Sequence, residues 1–250
     1  MNITQFLENI SKEYKEIENI PLLAEKIERI LNRDTSMEEE FEAIGTGSFK
    51  EAYELNDDYV IKFAAFFNNT EAEMDLNDKA IEECVSDIFL PTWFYEIDSA
   101  KRPLMFLIDF DEADYECDDT DGFEKDEDEE GWVRYYPKAS HIIIQPKIHR
   151  TVGSKSYQHL PYNKIEYYQK AAITDNETGE VIEYEEVRKW QISSKDWIQS
   201  VLDLYGIEQF MNIGKFLDDY DVSDLHSENI GYIEKDGVEY PVIFDCFSEI

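Results

Sequence analysis

Three side chains suited to metal binding and proton transfer lie close together near the end of this sequence. Asp224 and Asn229 follow a segment with helical periodicity and precede an apolar run, and Asp245 follows a second apolar run sixteen residues after Asn229. The turn signal Asp236-Gly237 between the two runs predicts a β-hairpin. Such a hairpin would carry Asn229 at one end and Asp245 at the other, side by side.

This pair predicts a magnesium site. An amide oxygen and a carboxylate are hard oxygen ligands that suit Mg²⁺, which keeps several waters and binds substrate phosphates. Asp224 would lie at the mouth of the same connecting loop, where its carboxylate could accept a proton from an attacking hydroxyl or orient it. An ordinary solvated turn is the simpler interpretation of this stretch when it is taken alone.

A glycine-containing stretch earlier in the chain suits phosphate binding. It has the sequence GTGSF and includes Gly45, Gly47 and Ser48. Apolar runs on both sides and a polar turn after them predict three successive strands between residues 41 and 64, with the glycines in the first connection. Glycines let backbone N–H groups approach phosphates closely.

Lys62 lies on the third of these predicted strands with its stem among apolar residues, so its ammonium needs an anionic partner. A carboxylate on the following helix would supply one. Glu73 is the preferred partner because it shares the apolar stripe of that helix. Three other glutamates remain possible, namely Glu71, Glu82 and Glu83.

The composition limits the classes of partner. The chain has 23 basic and 58 acidic residues and a net charge of -35, so it should repel nucleic acid and anionic membranes and favour cationic partners or metal ions. Residues 109–130 contain fourteen carboxylates and one lysine, which predicts an acidic loop or a docking surface for a cationic partner. Three scattered cysteines, no signal pattern and no long apolar run favour a soluble cytoplasmic protein.

The remaining periodicity predicts an α+β fold. Residues 1–35 contain two amphipathic helical patterns, and residues 70–89 contain a further one with Cys84 on its apolar, core-facing stripe. A hairpin is expected around Asn176–Gly179. Two helices separated by Gly206 should precede the final hairpin.

In order and setting, these motifs resemble those of the protein-kinase-like fold across residues 41–250. GTGSFKEAY resembles its glycine-rich loop, VIK its lysine strand, IIIQPKI its hinge, SDLHSEN its catalytic loop and FDCF its metal-binding Asp motif. The resemblance implies a bilobal fold with an antiparallel-sheet N-lobe at 41–148 and a reduced helical C-lobe at 149–250. Residues 1–40 would be an N-terminal helical extension.

The resemblance also implies a phosphotransferase that uses ATP and Mg²⁺. Lys62 would hold the α- and β-phosphates and pair with the helix glutamate, and Asp224 would act as the catalytic base. Asn229 and Asp245 would bind Mg²⁺. The hinge backbone from Gln145 to Lys147 would hydrogen-bond adenine.

The chain also departs from the pattern of this fold. Lys50 stands where the third loop glycine is expected, and the Asp motif continues with Cys246 and Phe247 instead of ending in glycine. The motif DLHxxN, in which His226 replaces a lysine, is more similar to bacterial and phage branches of the fold. Because five residues follow Asp245, the peptide-binding helices would be missing unless other parts of the chain replace them, and the candidates are residues 1–40 and 150–205.

These departures and the acidity support a second hypothesis. The chain would then be a pseudokinase-type binding or inhibitory protein that presents carboxylates in the way nucleic acid presents phosphates. Its partner would be a protein with a basic surface. The joint presence of Lys62, Asp224, Asn229 and Asp245 favours the phosphotransferase, since a mimic does not need all four.

Overall fold

The computed structural model describes residues 1–47, 49–65, 67–105, 122–127, 133–151, 170–174, 181–186, 195–223 and 229–248. All pairings between the strands of this part of the chain are antiparallel. The strands occur together with several helices, which confirms a mixed α and β protein with an antiparallel sheet. The chain divides into two compact units, Met1–Met74 with Pro91–Lys147, and Asp75–Leu90 with Ile148–Ile250.

The first unit is built on a five-stranded antiparallel sheet. Its helices are α1 (Ile3–Glu13), α2 (Ile20–Leu31), the short α3 (Met37–Glu40) and the first part of α4 (Phe67–Glu82). Its strands are β1 (Glu42–Thr46), β2 (Lys50–Glu54), β3 (Tyr59–Ala64), β4 (Trp93–Glu96), β5 (Phe123–Glu127), β6 (Val133–Pro137) and β7 (His141–Pro146). The order in the sheet is β1-β2-β3-β7-β4, and β5 and β6 form a separate hairpin.

Helices α1 and α2 cover one face of this sheet. Alternate residues of β3 and β7 point to that face, and they form one buried apolar cluster with the helices. The strand residues are Ile61, Phe63, Ile142 and Ile144, and the helical residues include Leu7, Ile10, Ile27 and Ile30. The two helices predicted in residues 1–35 are therefore confirmed, and they belong to the core of the first unit.

Polar contacts also hold the C-terminal end of α1 to the sheet. The hydroxyl of Tyr59 donates a hydrogen bond to the backbone oxygen of Lys15 at 2.6 Å and accepts one from its backbone N–H at 3.1 Å. Burial raises the pKa of Tyr59 to about 12, so the phenol stays protonated and able to donate at neutral pH. The indole N–H of Trp93 donates to Glu13 at 3.2 Å.

Part of the acidic block forms a strand. A loop is the sequence-based expectation for residues 109–130, but β5 within this range pairs with β6 along its full length, and Glu124 lies opposite Tyr136. The pairing satisfies backbone groups that a loop would leave to water, and the carboxylate of Glu124 lies 3.9 Å from the guanidinium of Arg33. Residues 109–121 and 128–130 lie outside the described part of the chain.

The second unit combines a broken helix with short strands. Helix α5 (Lys195–Asp219) is interrupted at Gly206, whose φ of 77° and ψ of 169° are not helical, as the sequence predicts. The strands are β8 (Arg150–Thr151), β9 (Lys170–Thr174), β10 (Val181–Glu186), β11 (Val222–Ser223), β12 (Ile230–Lys235), β13 (Val238–Ile243) and β14 (Phe247–Ser248). The β12–β13 hairpin confirms the predicted turn at Asp236-Gly237. Strands β9 and β10 pair antiparallel, and the turn predicted between them, around Asn176–Gly179, lies outside the described residues.

Helix α4 is shorter than its sequence pattern predicts. It ends at Glu82, and Cys84 adopts a left-handed conformation with φ of 58°. This conformation turns the chain, so Cys84 is exposed while Val85 and Ile88 are buried. The expectation that Cys84 lies in the core is therefore wrong.

No helix in the described ranges combines the length and the hydropathy needed to cross a membrane.

Candidate functional site

Asn229 and Asp245 lie side by side at the open end of the β12–β13 hairpin. Ile230 pairs with Ile243 at the last position of the ladder. One residue further, the backbone N–H of Phe244 donates to the backbone oxygen of Asn229 at 2.9 Å. The side-chain amide of Asn229 then donates to the backbone oxygen of Asp245 at 3.4 Å.

The backbone around Asp245 is turned sharply. Asp245 has a φ of 55°, a left-handed conformation that is uncommon for residues other than glycine and that Asp and Asn tolerate best. Beyond it, β14 pairs with β11, so that Phe247 lies opposite Ser223. This pairing brings the residue that precedes Asp224 to the segment that follows Asp245. Residues 224–228, which include Asp224 and His226, lie outside the described part of the chain.

The chemistry of this pair fits Mg²⁺. Asn229 is buried and Asp245 is partly buried, and together they offer an amide oxygen and a carboxylate. Within the described ranges no group of three His, Cys, Asp or Glu side chains forms a metal cluster. Two protein ligands suffice for Mg²⁺ in nucleotide sites, where waters and phosphates complete the coordination. Asn229 and Asp245 are therefore two residues that could hold this ion together with waters and phosphates.

The sequence predicts both glycines in the first connection, but Gly45 lies on β1, opposite Ala52 on β2. Gly47 lies in the connection of the β1–β2 hairpin. The backbone N–H of Gly47 donates to the backbone oxygen of Lys50 at 2.8 Å, which closes the hairpin. Gly45 and Gly47 are exposed and neither has a positive φ. A Cβ added at Gly45 would meet no described atom within 4 Å, and one at Gly47 would lie 3.7 Å from the Lys50 oxygen. The packing of the described chain thus does not require glycine at either position. Ser48 lies outside the described residues.

Lys62 is buried on β3, with Ala52 opposite it on β2 and Ile143 opposite it on β7. Its side chain therefore points to the sheet face opposite the one that α1 and α2 cover. Lys50, two positions before Ala52, lies on the same face.

Glu73 on α4 reaches this face. Its carboxylate lies 2.5 Å from the ammonium of Lys50, and its side chain is 5% exposed. The sequence predicts Glu73 as the partner of Lys62, and the structure pairs its carboxylate with Lys50, a partner that the sequence reasoning did not name. The available signal was the two-residue period of β2, which puts Lys50 on the same face as Ala52 and therefore on the same face as Lys62 opposite it. Of the alternative glutamates, Glu71 and Glu83 are exposed, and Glu82 lies 3.5 Å from Lys79 on the surface.

A buried histidine on the same face adds no charge near neutral pH. His141 lies opposite Ala64 on β7, two residues from the position opposite Lys62. Burial lowers the pKa of its imidazole, and the guanidinium of Arg102 lowers it further against an opposing effect of Glu96. The imidazole is therefore neutral at pH 7, and its Nδ1 lies 3.0 Å from the hydroxyl of Ser140.

The predicted hinge residues are at the end of β7. The side-chain amide of Gln145 donates to the hydroxyl of Thr92 at 2.9 Å. The backbone N–H of Lys147 donates to the oxygen of Asp58 at 2.8 Å, and its ammonium lies 3.0 Å from Glu54. Because the N–H of Lys147 is already bonded within the chain, it is a poor donor for an adenine ring.

The glycine hairpin, Lys62, Glu73 and the hinge strand belong to the first unit, and Asn229 and Asp245 belong to the second. Comparison with protein-family models, with curated proteins and with solved structures found no match to this chain.

Proposed function

We propose that the protein is an ATP- and Mg²⁺-dependent phosphotransferase of the protein-kinase-like fold, with a hydroxyl of a protein or small molecule as the acceptor. The observation that carries the proposal is the Asn229–Asp245 pair. The two residues are sixteen positions apart in the sequence, and the β12–β13 hairpin brings them together, so that the side-chain amide of Asn229 donates to the backbone oxygen of Asp245. Asp245 has a left-handed backbone there, and the two side chains carry an amide oxygen and a carboxylate. This donor set suits a metal that also binds phosphates.

The order of strands in the first unit also supports the proposal. The glycine hairpin β1–β2, the lysine strand β3 and the hinge strand β7 are consecutive neighbours in one sheet. A nucleotide site of this kind needs the glycine loop over the phosphates, the lysine beside them and the hinge backbone at the base.

The proposed reaction forms a bond between the acceptor oxygen and the γ-phosphorus and breaks the bond from that phosphorus to the β–γ bridging oxygen, which leaves with ADP. Magnesium-bound ATP would supply the phosphoryl group and neutralise charge on it. Asp224 would accept the hydroxyl proton and Lys62 would hold phosphate oxygens. Asn229 and Asp245 would hold the metal, and the hinge backbone near Gln145 would orient adenine.

Net charge sets a strict condition on this chemistry. At a net charge of -35, the protein repels free ATP at distances within the Debye length, which is about 8 Å at physiological ionic strength. Cations in the site must therefore offset this repulsion. The face of the sheet that carries Lys62 also carries Lys50, and the negative charge of Glu73 offsets part of their positive charge.

Nucleotide binding should require the metal. Mg²⁺ and ATP together, at 100 times the Kd, should stabilise the protein by about 2.7 kcal/mol and raise its Tm, as measured by thermal-shift assay. ATP with EDTA should give no such rise, because the charge repulsion is then uncompensated. Mg²⁺ alone is the control for general cation effects on an acidic surface. Absence of a shift at millimolar Mg²⁺ and ATP would contradict the proposal.

Alanine at the loop glycines should separate binding from stability. Gly45→Ala and Gly47→Ala should change the free energy of unfolding by no more than about 0.5 kcal/mol, since neither position has a positive φ or a steric conflict. Each should raise the Kd for Mg²⁺-bound ATP about 10-fold if backbone groups there contact phosphate. Isothermal calorimetry and urea denaturation measure the two effects.

The matched control for the loop glycines is Gly237→Ala. Gly237 has a φ of 76°, so alanine there should cost about 1 kcal/mol of stability without changing nucleotide affinity. Unchanged affinity in both loop variants would remove the glycine stretch from the proposed site.

The second candidate function is a pseudokinase-type acidic binding or inhibitory protein. The net charge of -35 favours it, because such a surface attracts a protein with a basic face. In that case the wild type would neither bind nor transfer phosphate from Mg²⁺-bound ATP. It would instead bind a basic partner with an affinity that falls steeply as salt increases.

A further inference from the structure

The residue that departs from the glycine-loop pattern makes the ion pair with the buried helix glutamate. Lys50 is the first residue of β2, and its ammonium lies 2.5 Å from the carboxylate of Glu73 on α4. The Lys50 side chain is 20% exposed and that of Glu73 is 5% exposed. A pair this shielded from water is weakly screened by salt, and breaking it is costly.

The position of Lys50 places this ion pair at the turn of the glycine hairpin. Its backbone oxygen accepts the hydrogen bond from Gly47 that closes the glycine hairpin, so the ion pair lies directly beside the turn. The other strand of the hairpin, β1, is exposed along its whole length. Because an exposed hairpin end makes few apolar contacts, the ion pair at Lys50 contributes much of the local stability of this end.

Lys50 also lies next to Lys62. Lys50 is opposite Ala64 and Lys62 is opposite Ala52, so the two lysines are diagonal neighbours on one face. Diagonal neighbours of this kind are about 7–8 Å apart at their Cα atoms, within reach of two long side chains and one glutamate. The helix carboxylate is therefore placed to join the glycine hairpin, rather than the lysine strand alone, to α4.

We propose that Lys50 is a positioning residue that fastens the glycine hairpin to helix α4 through Glu73. Lysine in place of the expected third glycine would then hold the hairpin to α4 as an anchor. Its consequence for nucleotide binding rests on the proposed function: with the hairpin end held beside α4, the loop backbone is ordered before the phosphates arrive. The group that the ordered loop backbone would bind is the triphosphate of Mg²⁺-bound ATP.

Amide hydrogen exchange on the full chain tests the anchor without nucleotide. Lys50→Met and Glu73→Gln should each speed exchange of the β1 and β2 amides about 10-fold, and the double variant should speed it no further because either change already breaks the tie. Lys50→Arg keeps the cation and should stay near the wild-type rate. Glu71→Gln changes an exposed carboxylate of the same helix and is the matched control. The α1 and β7 amides report whether the first unit is still folded.

Unchanged exchange in the single variants, or effects that multiply in the double variant, would overturn the anchor. A second measurement, the Kd of Mg²⁺-bound ATP, separates this inference from the proposed function. If the wild type binds, both single variants and the double variant should weaken binding to the same extent, about 10-fold. Binding by the wild type that all three variants retain would overturn the positioning role and leave the proposed function standing. A wild type that binds no nucleotide would overturn the proposed function, and exchange would then decide the anchor alone.

Discussion

Asp245→Asn should lower the rate of phosphoryl transfer from ATP by about 100-fold or more, because it removes the negative charge that would hold the metal. The substitution keeps the size of the side chain and the tolerance of a left-handed backbone, which Asp245 needs at its φ of 55°. Transfer is measured with labelled ATP and a cell lysate as the source of acceptors, beside an Asp224→Ala variant.

Asp236→Asn provides the matched control for this experiment. Asp236 is also left-handed, with φ of 53°, and it lies exposed in the turn at the other end of the same hairpin. It should transfer phosphate at the wild-type rate. Equal labelling by wild type, Asp245→Asn and Asp224→Ala would show that the catalytic assignment is wrong. Labelling by none of them, with tight binding of a basic protein, would favour the acidic binding protein.

Leu7→Ala should destabilise the first unit by about 2–5 kcal/mol, the usual cost of a cavity at a fully buried leucine. Leu7 lies on α1 with no exposed surface and packs in the cluster that contains β3 and β7. The change should lower the midpoint of urea denaturation measured by circular dichroism. The reason is that α1 forms one wall of the core instead of a detachable extension.

Leu22→Ala is the control for Leu7, since the same truncation is made on the neighbouring helix at a side chain that is 53% exposed. It should change stability by no more than about 0.5 kcal/mol. Similar losses at the two leucines would contradict the assignment of α1 to the core. A loss at neither would indicate that residues 1–40 fold independently of the sheet.

Local sequence patterns were sufficient to predict most of the helices and strands and the proximity of Asn229 to Asp245. Strands β3 and β7 are short, mostly apolar runs because nearly every residue in them is buried. The Asp236-Gly237 turn follows from residues that accept positive φ. Since that turn fixes the register of the hairpin, the juxtaposition of Asn229 and Asp245 was also predictable.

Features that depend on tertiary contacts could not be predicted in the same way. The Lys50–Glu73 pair requires both the register of β2 against β3 and the approach of α4 to the sheet. The exposure of Cys84 depends on a left-handed residue that ends the helix where the apolar stripe continues. The bond from Lys147 to Asp58 uses a backbone donor that no side-chain pattern records.

The position of β7 in the sheet has a consequence for how the chain folds during synthesis. Strand β7, which completes the apolar wall facing α1 and α2, begins 77 residues after β3 ends. The two helices leave the ribosome before β7, and their apolar stripes stay partly uncovered until residue 146 has emerged. Pairings of such long sequence separation are slow to form, and exposed apolar stripes invite association in the meantime. Nascent chains halted before β7 should therefore be strong clients of chaperones that bind apolar helices.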